Sequence, residues 1–199
     1  FMRVDLLLNE GRTFDSIRQA ESLAAYAAGI TGDYRSYTAA NAMCETASDL
    51  FAAEHEPAPA QYRLLIAALG ALSRHAHDAQ AISLSYILRA MALAGWTIRL
   101  DSCVVCGRQQ ISYFSAPAGG AMCADDRTPD ATRVDERVFA QLRALEQGGL
   151  AERRRAAADR RTHREHRARM GAVLSRTTDS FARLARLKPW LLMQWTTNR

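Results

Sequence analysis

The chain has 199 residues, 48% of them hydrophobic and 24% charged, enough for one good core or for a core with a small appendage. Its formal net charge is +5, carried almost wholly by arginine, since Lys188 is the single lysine. No run of about 18 apolar residues is present, which argues against a membrane-spanning helix, and the first residues lack the charged and apolar regions of a secretory signal.

Residues 1–8 (FMRVDLLL) read as a strand, and Asn9 to Arg12 as a turn. A lone strand is not stable, so this one is expected to pair outside the chain, and the chain is expected to begin inside a longer parent. Residues 13–30 read as a short helical stretch ending near Gly29. Asp33 is a candidate N-cap. Behind it, Tyr34, Tyr37, Asn41, Cys44, Ala47 and Phe51 recur at helical spacing to about Glu54. Pro57 and Pro59 break the pattern. A second helix runs from Ala60 to Ser73, with Tyr62, Leu65, Ile66, Leu69 and Leu72 on one face. Asp78 caps a third, Ala79 to about Ala94, with Gly95 as its stop. That helix is apolar nearly all round and is expected to be central. His75 and His77 fall in the loop before it.

Residues 96–131 are rich in Cys, Gly and Pro, with a candidate strand at Ile111–Ser115. Helical spacing resumes from Asp135 to Glu146, with Val138, Phe139, Leu142 and Leu145 on one face and Gly148-Gly149 at the end. Residues 151–169 are basic. A last helix from Met170 stops at Pro189, and an apolar, then polar, tail follows.

Three of the four cysteines cluster in the turn-rich part. Cys103-Val104-Val105-Cys106 lets two thiolates face one metal, and Cys123 follows after 16 intervening residues, as in a zinc ribbon. The fourth position is Asp126, beside Asp125. Structural zinc prefers Cys or His, so two readings stand: a Cys103, Cys106, Cys123, Asp126 zinc site, or a decayed ribbon held by small apolar contacts. Cys44 reads as a small buried residue of a helix. The basic segment also has two readings. Arg153, Arg160, Arg164 and Arg167 fall near one helical face, with Arg154 and Arg161 beside them. They track a phosphate backbone, or they form a solvated face with local ion pairs to Glu152, Asp159 and Glu165.

Phosphate-loop, dinucleotide-fold and nucleophile-elbow signatures are absent. His163-Arg164-Glu165 matches the His-x-Glu of zinc deaminases in isolation, but it lies after the cysteines and Ser102 replaces the expected proline. The residues therefore point to a non-enzymatic protein.

Several stretches together resemble the RecO family of bacterial recombination mediators: VDLLLNEGRTFD (4–15), DYRSYTAANAMCETASDLF (33–51), AQYRLLIAALGAL (60–72), YILRAMALAGWTIRLDSCVVCG (86–107), AGGAMC (118–123) and SFARLARLKPWLL (180–192). The resemblance implies a mostly α fold, a helical bundle over residues 13–199 with a zinc-ribbon-like insert at 97–131. It implies that residues 1–12 are the remnant last strand of an OB barrel. It also implies DNA binding, for which the basic segment offers Arg153, Arg154, Arg160, Arg161, Arg164 and Arg167 as candidates, although residues 124–170 match the family poorly. The implied role is to bind and anneal single- and double-stranded DNA and to load recombinase, in the cytoplasm at the nucleoid, with RecR and the C-terminal tail of single-strand-binding protein as partners and no membrane. Asp126 at a ligand position and the incomplete barrel are departures from the family. A module gripping an acidic peptide without DNA binding is the alternative.

Overall fold

The computed structural model describes residues 1–149 except 10, 12, 13 and 52–55. The basic segment 151–169, the last helix and the tail anticipated above lie outside the described residues.

The chain opens with an antiparallel hairpin of β1 (Met2–Asn9) and β2 (Ser16–Ala25). This corrects two expectations. The stretch 13–30 is mostly strand, with only a four-residue helix α1 (Ala27–Ile30) at its end, and β1 finds its partner within the chain. Register shifts at Arg3/Val4 and Leu7/Leu8 bend the ribbon. A two-stranded ribbon alone is marginal, and this one is tied to the helices at its base. The Arg3 guanidinium donates to the Tyr62 hydroxyl at 2.8 Å and lies over the Tyr62 ring, while the Phe1 ring meets Tyr37 edge-on at 5.9 Å. Further out, Leu6, Leu7, Leu8, Ile17 and Leu23 remain exposed.

Helices α2 (Tyr34–Leu50), α3 (Pro59–Ser73), α4 (Ala79–Leu93) and α5 (Glu136–Glu146) build the body. Three begin with the same device. The carboxylates of Asp33, Asp78 and Asp135 accept from the backbone N–H of Ser36, Ala81 and Val138 at 2.9, 3.2 and 3.1 Å, satisfying donors that a helix start leaves free. Helix α4 ends at Gly95, with φ +88°. There the Gly95 and Trp96 amides return to the carbonyls of Ala92 and Met91 at 3.0 and 2.8 Å, a closure that needs the left-handed residue a glycine supplies. Pro59 opens α3 as its first residue, where a missing N–H costs nothing.

As anticipated, α4 is central. Ala81 to Leu88, Ala90 and Met91 are all buried, against α2, α3 and α5. The face of α2 differs from expectation. It buries Ser36, Ala39, Ala40 and Met43, while Tyr34 and Tyr37 are exposed. Small residues on that stripe let α2 approach α4 closely, and the large tyrosines turn outward. Tyr62 of α3 is likewise exposed. The α5 face is as read: Val138, Phe139, Leu142 and Leu145 are buried, and the Ser85 hydroxyl of α4 donates to the Leu145 carbonyl at 2.7 Å.

The turn-rich part forms a second sheet, ordered β4-β3-β5, from β3 (Tyr113–Ser115), β4 (Gly120–Met122) and β5 (Thr132–Arg133). The strand read at Ile111–Ser115 is thus present in shortened form, and the third strand falls just past residue 131. The fold among the described residues is a helical body with two small sheets, where the sequence suggested helices with one remnant strand.

Two outcomes test this packing. The Tyr86 hydroxyl is buried without a hydrogen-bond partner among the described residues, and burial pushes its pKa up to about 12. Tyr86→Phe is therefore expected to leave stability unchanged or raise it by about 1 kcal/mol, whereas Phe139→Ala should cost about 3–5 kcal/mol; denaturant titration of both variants checks the pair. The Asp33 carboxyl is held below its ordinary 3.8 by the Ser36 hydroxyl and then the Ser36 amide. A depressed carboxylate stabilises fully above its unfolded value and loses that contribution as pH falls through the lower folded value. The Ser36 amide resonance should accordingly titrate below 3.8 in an NMR pH series.

Candidate metal centre

The site begins with the chain leaving α4. Residues 97–102 run along the edge of the new sheet, where the Arg99 N–H donates to Gly119 at 3.1 Å and its carbonyl accepts from Ala121 at 2.8 Å. A side chain at Gly120 would meet the Arg99 carbonyl oxygen at 2.2 Å, so this close backbone approach requires glycine. That contact fixes β4 against the strand leading into the cysteines.

The first knuckle then closes on itself. The Gly107 amide donates to the Cys103 carbonyl at 3.0 Å, and the Cys103 amide to the Arg108 carbonyl at 2.8 Å. Gly107 has φ +75°, a conformation that L side chains rarely adopt. The Val104 amide donates to Ala121 at 2.9 Å and the Ser112 amide to Met122 at 3.1 Å. These bonds hold the knuckle beside Cys123, which directly follows β4. Cys103, Met122 and Cys123 form a buried cluster, flanked by Val104, Ile111, Tyr113 and Ala131. Cys106 lies at the exposed tip.

Cys103, Cys106, Cys123 and Asp126 are brought together as the sequence spacing required, each offering one ligand atom, all within 4.8 Å of one another. The Cys106 and Cys123 sulfurs are 3.8 Å apart. Two thiolates on a tetrahedral ion with bonds of about 2.3 Å stand about 3.8 Å apart. Asp126 Oδ2 lies 3.1 Å from the Cys123 sulfur and 3.5 Å from the Cys103 sulfur, close to the ~3.5 Å edge that one carboxylate oxygen makes with sulfur in such a site. The donor set therefore fits a tetrahedral cation. Cys44, from helix α2, is half-buried and outside this cluster.

The protonation pattern agrees. A hydrogen bond with Asp126 pushes the Cys106 thiol up to about 12. Asp126 is held below the ordinary carboxylate value, first by Cys106 and then by Cys123. Burial raises the Cys103 thiol, but backbone hydrogen bonds from Cys106, Cys123 and Val105 outweigh it and bring the net value down. A cation at these donors must displace thiol protons, so binding weakens as pH falls.

Sequence reasoning missed the supports around the site. Arg108 pairs with Asp125 at 2.7 Å, bracing the two knuckles across the surface; neighbouring Asp125 and Asp126 thereby divide between an ion pair and the cluster. The Ser115 hydroxyl donates to Asp130 at 2.6 Å, fixing the loop before β5. Arg143 of α5 donates to the Leu100 carbonyl at 3.0 Å and pairs with Asp101 and Glu136, clamping the root of the insert to the helical body. No motif announces these contacts, because all but the Arg143–Glu136 pair join residues distant in sequence. The other anticipated site residues, Arg153, Arg154, Arg160, Arg161, Arg164 and Arg167, lie outside the described residues.

A family model described as "Recombination protein O C terminal" matches residues 31–180. The chain belongs to the RecO family. Proteins named "DNA repair protein RecO" are similar to it: one from Bifidobacterium animalis subsp. lactis is 80% identical over 74% of this chain and 62% of its own length. Another from Bifidobacterium adolescentis is 54% identical over 76% of this chain and 63% of its own length. One from Nocardioides sp. is 37% identical over 76% of this chain and 64% of its own length. The chain thus matches less than two thirds of the length of these relatives.

Cobalt(II), a visible reporter of tetrahedral thiolate ligation, should bind at one ion per chain. Cys103→Ser is expected to weaken it by more than the ~10–100-fold that removal of a supporting side chain costs. Asp126→Cys should tighten it, since soft thiolate ligands suit such ions better than a carboxylate. Competition titration against a chelator checks both.

Proposed function

We propose that this chain is a DNA-binding part of a bacterial recombination mediator acting in DNA repair, without enzymatic turnover. Family membership carries this reading, supported by relatives named for DNA repair and by the net charge of +5, which favours a polyanionic partner. Annealing of complementary strands, recombinase loading, and contact with RecR and with the acidic tail of single-strand-binding protein belong to the same proposal. So does the reading of the β1–β2 hairpin as barrel edge. The arginines at 153, 154, 160, 161, 164 and 167 are the proposed phosphate contacts.

We further propose that zinc is the ion at the cysteine cluster. Cys103, Cys106, Cys123 and Asp126 would hold it, and its work there would be structural: it would lock the two knuckles, while this chain's own residues bind the nucleic acid. No described helix is long and apolar enough to cross a membrane; a cytoplasmic location at the nucleoid is part of the proposal.

A second reading rests on a cleft between α2 and the start of α4. It has a volume of about 480 Å³ and is lined by Tyr34, Arg35, Thr38, Ala39, Asp78, Gln80 and Ser83. An arginine beside apolar and hydroxyl groups suits the end of an acidic peptide.

The deciding experiment is fluorescence anisotropy of labelled single-stranded DNA across a salt series, on zinc-quantified protein, beside a fluorescent acidic peptide. Micromolar or tighter DNA binding that weakens steeply with salt is expected. Replacing the six arginines by glutamine should flatten the slope by roughly 0.7 for each phosphate that is no longer neutralised. A folded chain that ignores DNA at low salt but binds the peptide, with Arg35→Ala abolishing that binding, would replace the DNA reading by the second.

A further inference from the structure

We propose that Cys106 and Cys123 form a thiol–disulfide site, oxidised by hydrogen peroxide, that dismantles the metal centre when it closes. Cys106 sits at the tip of the first knuckle and is exposed, next to Val105, which is 65% exposed. Its sulfur stands 3.8 Å from that of Cys123, which is 4% exposed. One residue of the pair is therefore exposed while the other is buried beside it. The third thiol, Cys103, is wholly buried, with its amide and carbonyl both engaged in the knuckle. Closing the Cys106–Cys123 bond moves the exposed end of a turn; closing a bond to Cys103 would pull on its packed root.

The chemistry balances in two steps. The Cys106 thiol first gives up its proton; the thiolate sulfur then attacks one peroxide oxygen, the O–O bond breaks, the departing oxygen takes up that proton and leaves as water, and the other oxygen stays as the sulfenic acid. The Cys123 sulfur then attacks the Cys106 sulfur, the S–S bond forms, and the sulfenic oxygen leaves with a proton as a second water. Overall, two thiols lose two electrons and two protons, and one peroxide becomes two waters. Asp126 gives this cluster an asymmetry. With a carboxylate as fourth donor, three thiols yield one disulfide and leave one thiol over. Two of the four donors are then consumed, and Cys103 with Asp126 alone do not complete a tetrahedral shell. Metal release rests on the metal reading given above; disulfide formation does not need it.

The test treats the whole chain, loaded with zinc and quantified, with hydrogen peroxide, followed by peptide mapping without reductant. The expected product joins the Cys106 and Cys123 peptides, removes two of the four cysteine thiols, lowers the mass by about 2 Da and reverts with dithiothreitol. Cys44→Ser should behave as the parent. Cys106→Ser, verified as folded by circular dichroism, should lose the link altogether. A Cys103–Cys106 or Cys103–Cys123 link, over-oxidation of Cys106 without a link, or survival of all thiols under peroxide that consumes free cysteine would each overturn the proposal. Zinc is read in parallel with a chromogenic chelator. Release in step with the link supports the coupling, and zinc retained after the link has formed refutes it. A link formed in protein that never binds zinc would defeat the metal reading while leaving the disulfide site standing.

Discussion

Helix α4 presents apolar or small side chains in almost every direction, and water can be kept from all of them only if other elements close on it from several sides. Helices α2, α3 and α5 do so, and each is shaped by the requirement. Helix α2 turns Ser36, Ala39, Ala40 and Met43 inward, because a thin stripe allows close approach. Helix α3 sends Gln61 to the Ala90 carbonyl at 3.0 Å, and α5 delivers the Leu145 carbonyl to Ser85. The few polar groups that enter this core thus arrive mostly with partners, as burial demands. The hairpin depends on the same body at one remove: its base is held by Phe1 on Tyr37 and Arg3 on Tyr62, both on surfaces that α2 and α3 expose because their other faces are buried in the core.

The metal cluster draws its order from the same source through a different route. The chain leaves α4 at Gly95 and returns at α5, so the insert has two anchored ends. Between them, its own core is little more than Cys103, Met122 and Cys123 with a few half-buried neighbours. Such a core is too small to order a fold unaided. Ile98, Leu100, Phe114 and Ala121, which join the core of the helical body, supply the rest together with backbone pairing across Gly120, the Arg108–Asp125 pair and the Arg143 clamp. An ion at the four donors would add to this at the centre, joining the two knuckles through their side chains.

How much of this was legible follows from the kind of signal involved. Helices α3, α4 and α5 were readable because their ends carry chemistry in the sequence itself: Asp78 as a cap, Pro57 and Pro59 as a break, Gly95 and Gly148-Gly149 as stops; that Asp135 caps α5 and Pro59 opens α3 came only with the structure. The cluster was readable because ligand spacing is a local property, and Asp126 took the fourth place that spacing assigned. The β2 strand was not. Nearly all of Ser16–Ala25 is exposed, so no alternation of apolar and polar residues marks it, and its alanines and glutamine suit a helix equally well. Pairing with β1 decides its conformation, and pairing is a tertiary fact. The tyrosines at 34 and 37 misled for a related reason. Spacing identified a helical face correctly in period, but packing distance chose the neighbouring stripe of small residues.

Asp126 shows how one side chain separates properties that a fourth cysteine would combine. An ionised carboxylate carries the same charge as a thiolate, so the balance between a dication and its donors is unchanged, and Arg108 nearby meets the same field either way. Softness does change: one oxygen among three sulfurs lowers the preference for thiophilic ions over harder ones. Redox capacity changes as well, since a carboxylate cannot take part in a disulfide. The local geometry accommodates the exchange because Oδ2 stands at 3.1 Å from the Cys123 sulfur, while neighbouring Asp125 carries the ion pair with Arg108. The second knuckle therefore keeps its shape with a different atom at its tip, and its consequences fall on ion choice and oxidation chemistry rather than on the fold.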